Sequence, residues 1–310
     1  MKGIVIKSTG SWYSVLSENG EKVECRIKGI FRMKGIKTTN PIAVGDRVIF
    51  SPEPKESTGI INEIEKRKNY IIRKSINLSK QSHIIAANID QAFLMVTLIH
   101  PKTSMGFIDR FLITAEAYYI PVHILINKTD IYGAKEKEEM KDLIGNYQRI
   151  GYNIYPVSVL DKNDLIFLKE KMKDKINLVS GHSGVGKSTL INTLQPGANL
   201  KVNEISAAHN KGTHSTTFAE MHELSFGGFI IDTPGIKELG IVDMKKEELS
   251  HCFPEMRALL NKCKYDNCTH LNEPHCAVIE AVENGGIALS RYNSYVGILE
   301  GKELEKKYSD

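Results

Sequence analysis

No stretch of this 310-residue chain stays apolar for long. The longest near-apolar run, residues 92–99, has eight residues, whereas a membrane span needs roughly 20. The first residues lack the apolar core and small-residue cleavage site of a secretory leader, so the expected location is the cytoplasm. A large excess of one charge sign is also missing. Against 41 Lys and Arg stand 37 Asp and Glu, and a net charge of +4 does not by itself argue for nucleic acid. Cysteine is scarce and odd in number, five in all, which argues against a disulfide framework. There is no internal repeat and no low-complexity tract. With 41% hydrophobic and 25% charged residues, the chain is a folded globular protein rather than a disordered or fibrous one. At about 100–200 residues per domain, two or three domains are expected.

What is present is unevenly placed. Residues 22–37 carry six basic side chains against one acid, and residues 66–80 carry six against none. Basic charge therefore gathers toward the N-terminal part, where it could meet phosphates or simply form a solvated surface and linker. Five short apolar-rich stretches, at residues 3–7, 12–16, 22–27, 46–50 and 59–64, are separated by turn formers such as Asn19-Gly20 and Gly45-Asp46. They predict a small five-stranded barrel of the oligonucleotide-binding kind. Beyond the basic stretch the pattern alternates. Strands are expected at 92–99, 122–126, 153–159 and 176–179, and helices at 106–119, 135–150 and 164–173. Such alternation means a mostly parallel sheet covered on both faces. A hairpin is expected over 219–232, turning at Gly227-Gly228, and a helical region from about 242.

Residues 181–188, Gly-His-Ser-Gly-Val-Gly-Lys-Ser, fit G-x-x-x-x-G-K-S/T between an apolar strand and a helix. That context makes a phosphate-binding loop, with backbone N–H groups and a helix N-terminus facing the anion. Lys187 would reach the β- and γ-phosphates and Ser188 would ligate Mg²⁺. Asn127-Lys128-Thr129-Asp130 closes another apolar strand and matches N-K-x-D. The Asp130 carboxylate would accept from guanine N1–H and the 2-amino group, a donor pair adenine lacks. Asn127 would support the loop and touch the base edge, and the Lys128 stem would cover the ring. Ser158 lies where a second base loop would offer a backbone N–H. Asp232-Thr233-Pro234-Gly235 is a D-x-x-G element, with Asp232 toward Mg²⁺ through water and Gly235 toward the γ-phosphate. Between the phosphate motifs, residues 211–217 suit a switch loop. Thr216 or Thr217 is the expected metal-ligating hydroxyl, with Thr213 a third candidate. The motif order is permuted relative to Ras-like GTPases, in which the phosphate loop comes first. The D-x-x-G element therefore leads into the C-terminal region, and a nucleotide-dependent shift there can move that region. The position after Gly235 is Ile236, which cannot orient water as a glutamine does. His214 is the candidate for that role.

Cys263, Cys268, His270 and Cys276 fall within fourteen residues. Three thiolates and an imidazole suit one structural, tetrahedral Zn²⁺. His275 is a competing ligand with a less favourable spacing. Cys25 and Cys252 read as buried small side chains.

Taken together, Val44–Val48 (VGDRV), NKTD, GHSGVGKST, KGTHSTT, DTPGIKELG, the CKYDNCTHLNEPHC run and RYNSY at 291–295 resemble the RsgA (YjeQ/YloQ) family over essentially the whole chain. This family comprises circularly permuted GTPases dependent on the small ribosomal subunit. The resemblance implies a multidomain α/β chain. It also implies an N-terminal OB-fold β-barrel binding RNA (1–66), a circularly permuted Ras-like P-loop GTPase domain (67–241) and a C-terminal helical zinc-binding domain (242–310). It implies contacts to GTP or GDP from Asn127, Lys128, Asp130, Ser158, Gly181, His182, Ser183, Gly184, Val185, Gly186, Lys187, Ser188, Thr189, Asp232 and Gly235. Lys187 and His214 would be catalytic. The expected partners are the 30S subunit and 16S rRNA, with hydrolysis timing release in late assembly, no membrane, and a monomeric protein. The family's switch often has Arg where this chain has Gly212-Thr213, and Phe where it has Ile236. Competing readings are a large-subunit client, a nucleotide-gated RNA-binding module with negligible hydrolysis, and a metabolic P-loop kinase, the last disfavoured by N-K-x-D with D-T-P-G.

Overall fold

A computed structural model describes residues 1–27, 41–53, 57–74, 82–198, 219–232 and 246–301. The N-terminal strands are β1 (Lys2–Ser8), β2 (Tyr13–Ser17), β3 (Lys22–Ile27), β4 (Arg47–Pro52) and β5 (Thr58–Ile64). Their pairing runs β1-β2-β3-β5-β4 and returns to β1, with β3–β5 parallel and the rest antiparallel. The expected barrel is therefore closed, which removes the free edges an open sheet would expose. Alternate residues point inward, and Val5, Tyr13, Val15, Cys25, Ile42, Val48, Phe50 and Ile61 fill the interior. Burial raises the Cys25 thiol to about 11, which fits its reading as an inert core residue.

A second pair of strands, β6 (Tyr70–Lys74) and β7 (Ser82–Ala87), forms an antiparallel ribbon in the stretch read as linker. The barrel is fastened beside it. Arg67 donates to both carboxylate oxygens of Asp46 at 2.6 Å, and both side chains are buried. The Ala87 N–H donates to Val44 O at 2.8 Å, and Asn88 Nδ2 donates to Gly45 O at 2.9 Å. The VGDRV segment is thus one seam between barrel and sheet, and β1 makes another by pairing antiparallel with strand Glu220–Glu223 at Lys7 and Glu220.

The central sheet contains β8 (Gln91–Val96), β9 (Val122–Ile126), β10 (Asn153–Pro156), β11 (Ile176–Gly181), β12 (Glu220–Glu223) and β13 (Phe229–Asp232). Its order is β10-β9-β8-β11-β13-β12, parallel except for β12, which forms the expected hairpin with β13. Helices α1 (Met105–Ala117) and α2 (Ala134–Arg149) cover one face, and α3 (Lys162–Met172) and α4 (Lys187–Leu194) the other. Every residue of β8 and β11 is buried. Leu94 and Val96 face the α1 side while Phe93 and Met95 face the α4 side, the period of two expected of a strand covered twice. Ser104 caps α1 by accepting the Phe107 N–H, and Asp161 caps α3.

The C-terminal region has a 3₁₀ segment (Lys246–Cys252) and helices α5 (Pro254–Arg257), α6 (Ala277–Glu283) and α7 (Leu289–Leu299). It is less helical than expected, because residues 258–276 form turns around the cysteine cluster. Cys252 is buried in the core of this region and its thiol is raised to about 11 by burial. Among the described residues no helix is long and apolar enough to cross a membrane.

Candidate nucleotide-binding site

Asn127 to Asp130 follow β9, Ser158 follows β10, residues 181–188 follow β11, and Asp232 ends β13. All lie at the carboxyl ends of parallel strands, where such sheets bind ligands. The loop after β11 is pressed against its neighbours at two glycines. Gly181 has φ 147°, and a Cβ there would lie 2.3 Å from Met95 O. Gly186 has φ 105°, and its Cβ would lie 2.4 Å from Asn127 Nδ2. Only glycine allows both the backbone and the approach. Gly186 is also the N-cap of α4 and offers no side-chain acceptor to the first turn, so its N–H groups and dipole face the loop. Lys187 Nζ donates to Gly181 O and His182 O, each at 2.7 Å. Burial lowers its pKa, and the Asp232 carboxylate opposes that shift. Ser188 and Thr189 are half-buried in the first turn of α4, Ser183 is exposed at the loop tip, and Val185 is buried beneath it. The His182 ring stacks on Phe107 of α1, centroids 3.8 Å apart.

Asn127 ties three strand ends together. Its Nδ2 donates to Val185 O at 2.8 Å, and its Oδ1 accepts the Val159 N–H at 3.1 Å. The exposed Asp130 accepts the Ser158 hydroxyl at 2.7 Å. The Ser158 N–H, expected to face a base, donates instead to Asp164 Oδ2 at 2.8 Å. Ser158 therefore acts on Asp130 through its hydroxyl. Lys128 has φ 66°, and its Nζ donates to His100 O. Burial lowers its pKa, with Asp130 opposing. Two supports escaped the sequence reading. The Tyr132 hydroxyl donates to Asn127 O at 2.6 Å and accepts the Leu98 N–H at 2.9 Å. Asp164, in the first turn of α3, holds the Ser158 loop. Their signal was weak, an aromatic just after N-K-x-D and an acid just inside a helix. Thr213, His214, Thr216, Thr217, Gly235 and Ile236 lie outside the described residues.

In the C-terminal region Cys263, Cys268, His270 and Cys276 converge, with their ligand atoms all within 4.8 Å of one another. Cys263 Sγ lies 3.9 Å from Cys276 Sγ, and His270 Nδ1 lies 3.6 and 3.4 Å from these two sulfurs. A tetrahedral zinc at ordinary bond lengths requires edges of about 3.8 Å between sulfurs and about 3.5 Å from sulfur to nitrogen. The donor set and its spacing fit that ion. His275 is outside the group. Glu273 organises the intervening turn, accepting N–H groups from Thr269, Leu271 and Asn272 and the Thr269 hydroxyl. Burial works against its charge, but these bonds outweigh it and hold the carboxyl at about 2.

A strand–loop–helix phosphate cradle beside an N-K-x-D turn that comes earlier in the chain defines a circularly permuted P-loop GTPase. The chain belongs to the RsgA GTPase family, whose profile matches residues 64–242, with the RsgA N-terminal domain profile matching residues 2–61. It is 56% identical over 308 residues to the small ribosomal subunit biogenesis GTPase RsgA of Bacteroides fragilis (strain YCH46), covering 99% of each chain. It is 53% identical over 305 residues to the protein of that name in Christiangramia forsetii, covering 98% of this chain and 97% of that one. The crystal structure of YjeQ from Thermotoga maritima superposes with a TM-score of 0.78 at 36% identity, covering 97% of both chains. YloQ, described as a circularly permuted GTPase, superposes with 0.74 at 32% identity, covering 97% of this chain and 94% of that one.

Proposed function

We propose that this chain hydrolyses GTP to GDP and phosphate as a factor in maturation of the small ribosomal subunit. The observation that carries the reading is the meeting of residues 127–130, Ser158, 181–188 and Asp232 at one end of one sheet. Residues 181–189 hold the phosphates, with Lys187 neutralising charge on the β- and γ-oxygens. Asp130, oriented by Ser158, reads guanine, and Asn127 keeps the base loop in register with the phosphate loop. Mg²⁺ held by Ser188 and Thr216 or Thr217 supplies charge neutralisation at the phosphates when bound. Asp232 would help hold that ion through water, and the Gly235 N–H would sense the γ-phosphate. His214 orients the attacking water, whose oxygen bonds to the γ-phosphorus as the bond to the β-bridging oxygen breaks. Residues 1–66 form the rRNA-binding OB-fold domain, 67–241 the GTPase domain and 242–310 the domain held by one Zn²⁺. The protein works in the cytoplasm as a monomer, binding 16S rRNA within the 30S subunit and leaving after hydrolysis.

The test is GTP turnover by the full chain alone, with purified 30S subunits and with purified 50S subunits. The proposal expects 30S to raise turnover by at least about tenfold and 50S to leave it unchanged. Equal stimulation by both, or by neither, would overturn the assignment.

A further inference from the structure

Helix α1 has two working faces. Ile108, Phe111, Leu112 and Ala115 pack into the GTPase core, while Ile113 and Ala117 pack into the core of the C-terminal module. The outer face carries two ion pairs to that module. Asp109 Oδ1 accepts Arg291 Nη1 of α7 at 2.6 Å, and Glu116 accepts Arg257 Nη1 of α5 at 2.9 Å. The first pair is almost wholly buried, with side-chain exposures of 2% for Arg291 and 0% for Asp109. The same Asp109 oxygen also accepts the Tyr147 hydroxyl of α2 at 2.6 Å. Arg291 is fixed further by Glu255, at 2.7 and 3.2 Å, and lies over the Phe253 ring at 4.6 Å.

The next turn of α7 reaches the metal-holding loop. Tyr292 OH donates to His270 O and Tyr295 OH to Thr269 O, each at 2.7 Å. At the other end of the path, Phe107 in the first turn of α1 stacks on His182, whose carbonyl helps hold Lys187. A packed route therefore runs from the Cys263–Cys276 loop through α7, Arg291, Asp109 and α1 to the phosphate loop. It does not run through residues 236–245, the covalent link between D-x-x-G and the C-terminal region.

We propose that α1 couples the metal-holding module to the phosphate loop, with the Asp109–Arg291 pair as its joint and Phe107 as the residue that positions the loop through His182. A buried ion pair does not slide. Shifting one partner leaves the other charged and unsolvated, so the joint transmits displacement rather than absorbing it. The α1 helix is a rigid lever between the two ends. The inference rests on the nucleotide site proposed above, and it predicts reciprocal effects, because coupling between two binding events acts equally in both directions.

The experiment uses the full-length, metal-loaded protein with fluorescent GDP. Phe107→Leu, Asp109→Asn and the double variant are compared with wild type. Each single substitution should weaken GDP binding by roughly three- to thirtyfold, and the double should be no weaker than about twofold beyond the worse single. Release of the bound metal to a chromogenic chelator should slow at least about threefold when GDP is added to wild type, and not in Phe107→Leu. If Asp109→Asn lowers the melting temperature but leaves GDP affinity intact, the joint is only structural and the proposal fails. Additive losses, or metal release indifferent to GDP in wild type, overturn it as well. Should Asp109→Asn fold poorly, Phe107→Leu with the metal-release readout decides alone. A wild type that does not bind GDP overturns the site itself. A binding wild type with unmoved variants overturns only the coupling.

Discussion

Asn127 shows how much one side chain at a strand end can hold together. It is 1% exposed, and its amide is divided between the phosphate loop and the Ser158 loop. A shorter or charged residue would leave a buried N–H or C=O unpaired, at about 1–3 kcal/mol each. Asp130 is different. It is exposed, with one oxygen steadied by Ser158, so its carboxylate is oriented yet able to accept from a ligand. Asp130→Asn presents a donor where the guanine 2-amino group needs an acceptor and the xanthine oxygen needs a donor. The expected result is a loss of GDP affinity of about a hundredfold, with gain of measurable xanthosine diphosphate binding in calorimetric titrations. Unchanged base preference would remove Asp130 as the base reader. The place of Asp130 just past a strand end was legible in the residues. The destination of the Ser158 N–H was not, because it depends on where the first turn of α3 brings Asp164.

At the scale of elements, the strands of the barrel and of the parallel sheet were readable because their burial periods are simple. The β6–β7 ribbon was hidden under a run of positive charge, which reads as solvated surface when its apolar partners are unknown. Ile71 and Ala86 are nonetheless fully buried against the sheet. The inner stripe of α1 was visible in its spacing, whereas the outer face carrying Asp109 and Glu116 looks like ordinary surface until α7 and α5 cover it. The C-terminal region is less helical than its sequence suggests, because the turns of residues 258–276 take their shape from the cysteine cluster rather than from propensity. Structural zinc in small modules contributes about 10–16 kcal/mol of apparent binding free energy at neutral pH, most of it spent on folding. Stripping the metal with a strong chelator, or replacing Cys276 by Ser, should therefore open residues 258–276 to protease while far-UV dichroism from the parallel sheet persists. Metal content by atomic emission should fall from one per chain toward none. Retained protease resistance after full removal would show that the turns hold without an ion.

For the whole molecule, the order of motifs along the chain and their order in space are separate matters. The base loop comes first in sequence, yet β9, β8 and β11 lie side by side, so the pocket is assembled as if the chain began elsewhere. This followed from the sequence because strand ends, not chain order, decide which loops meet. The barrel seam at Asp46–Arg67 and the two-sided use of α1 did not follow, since both are contacts between units whose docking no local pattern encodes. One guanine nucleotide is expected to lie across those neighbouring strand ends. A structure of the full chain with a non-hydrolysable GTP analogue and Mg²⁺ tests it most directly. The phosphates should lie in the loop of residues 181–188, with Lys187 drawn from the Gly181 and His182 carbonyls onto the β- and γ-oxygens and the base edge on Asp130. An analogue bound elsewhere, or a base turned away from Asp130, would contradict it.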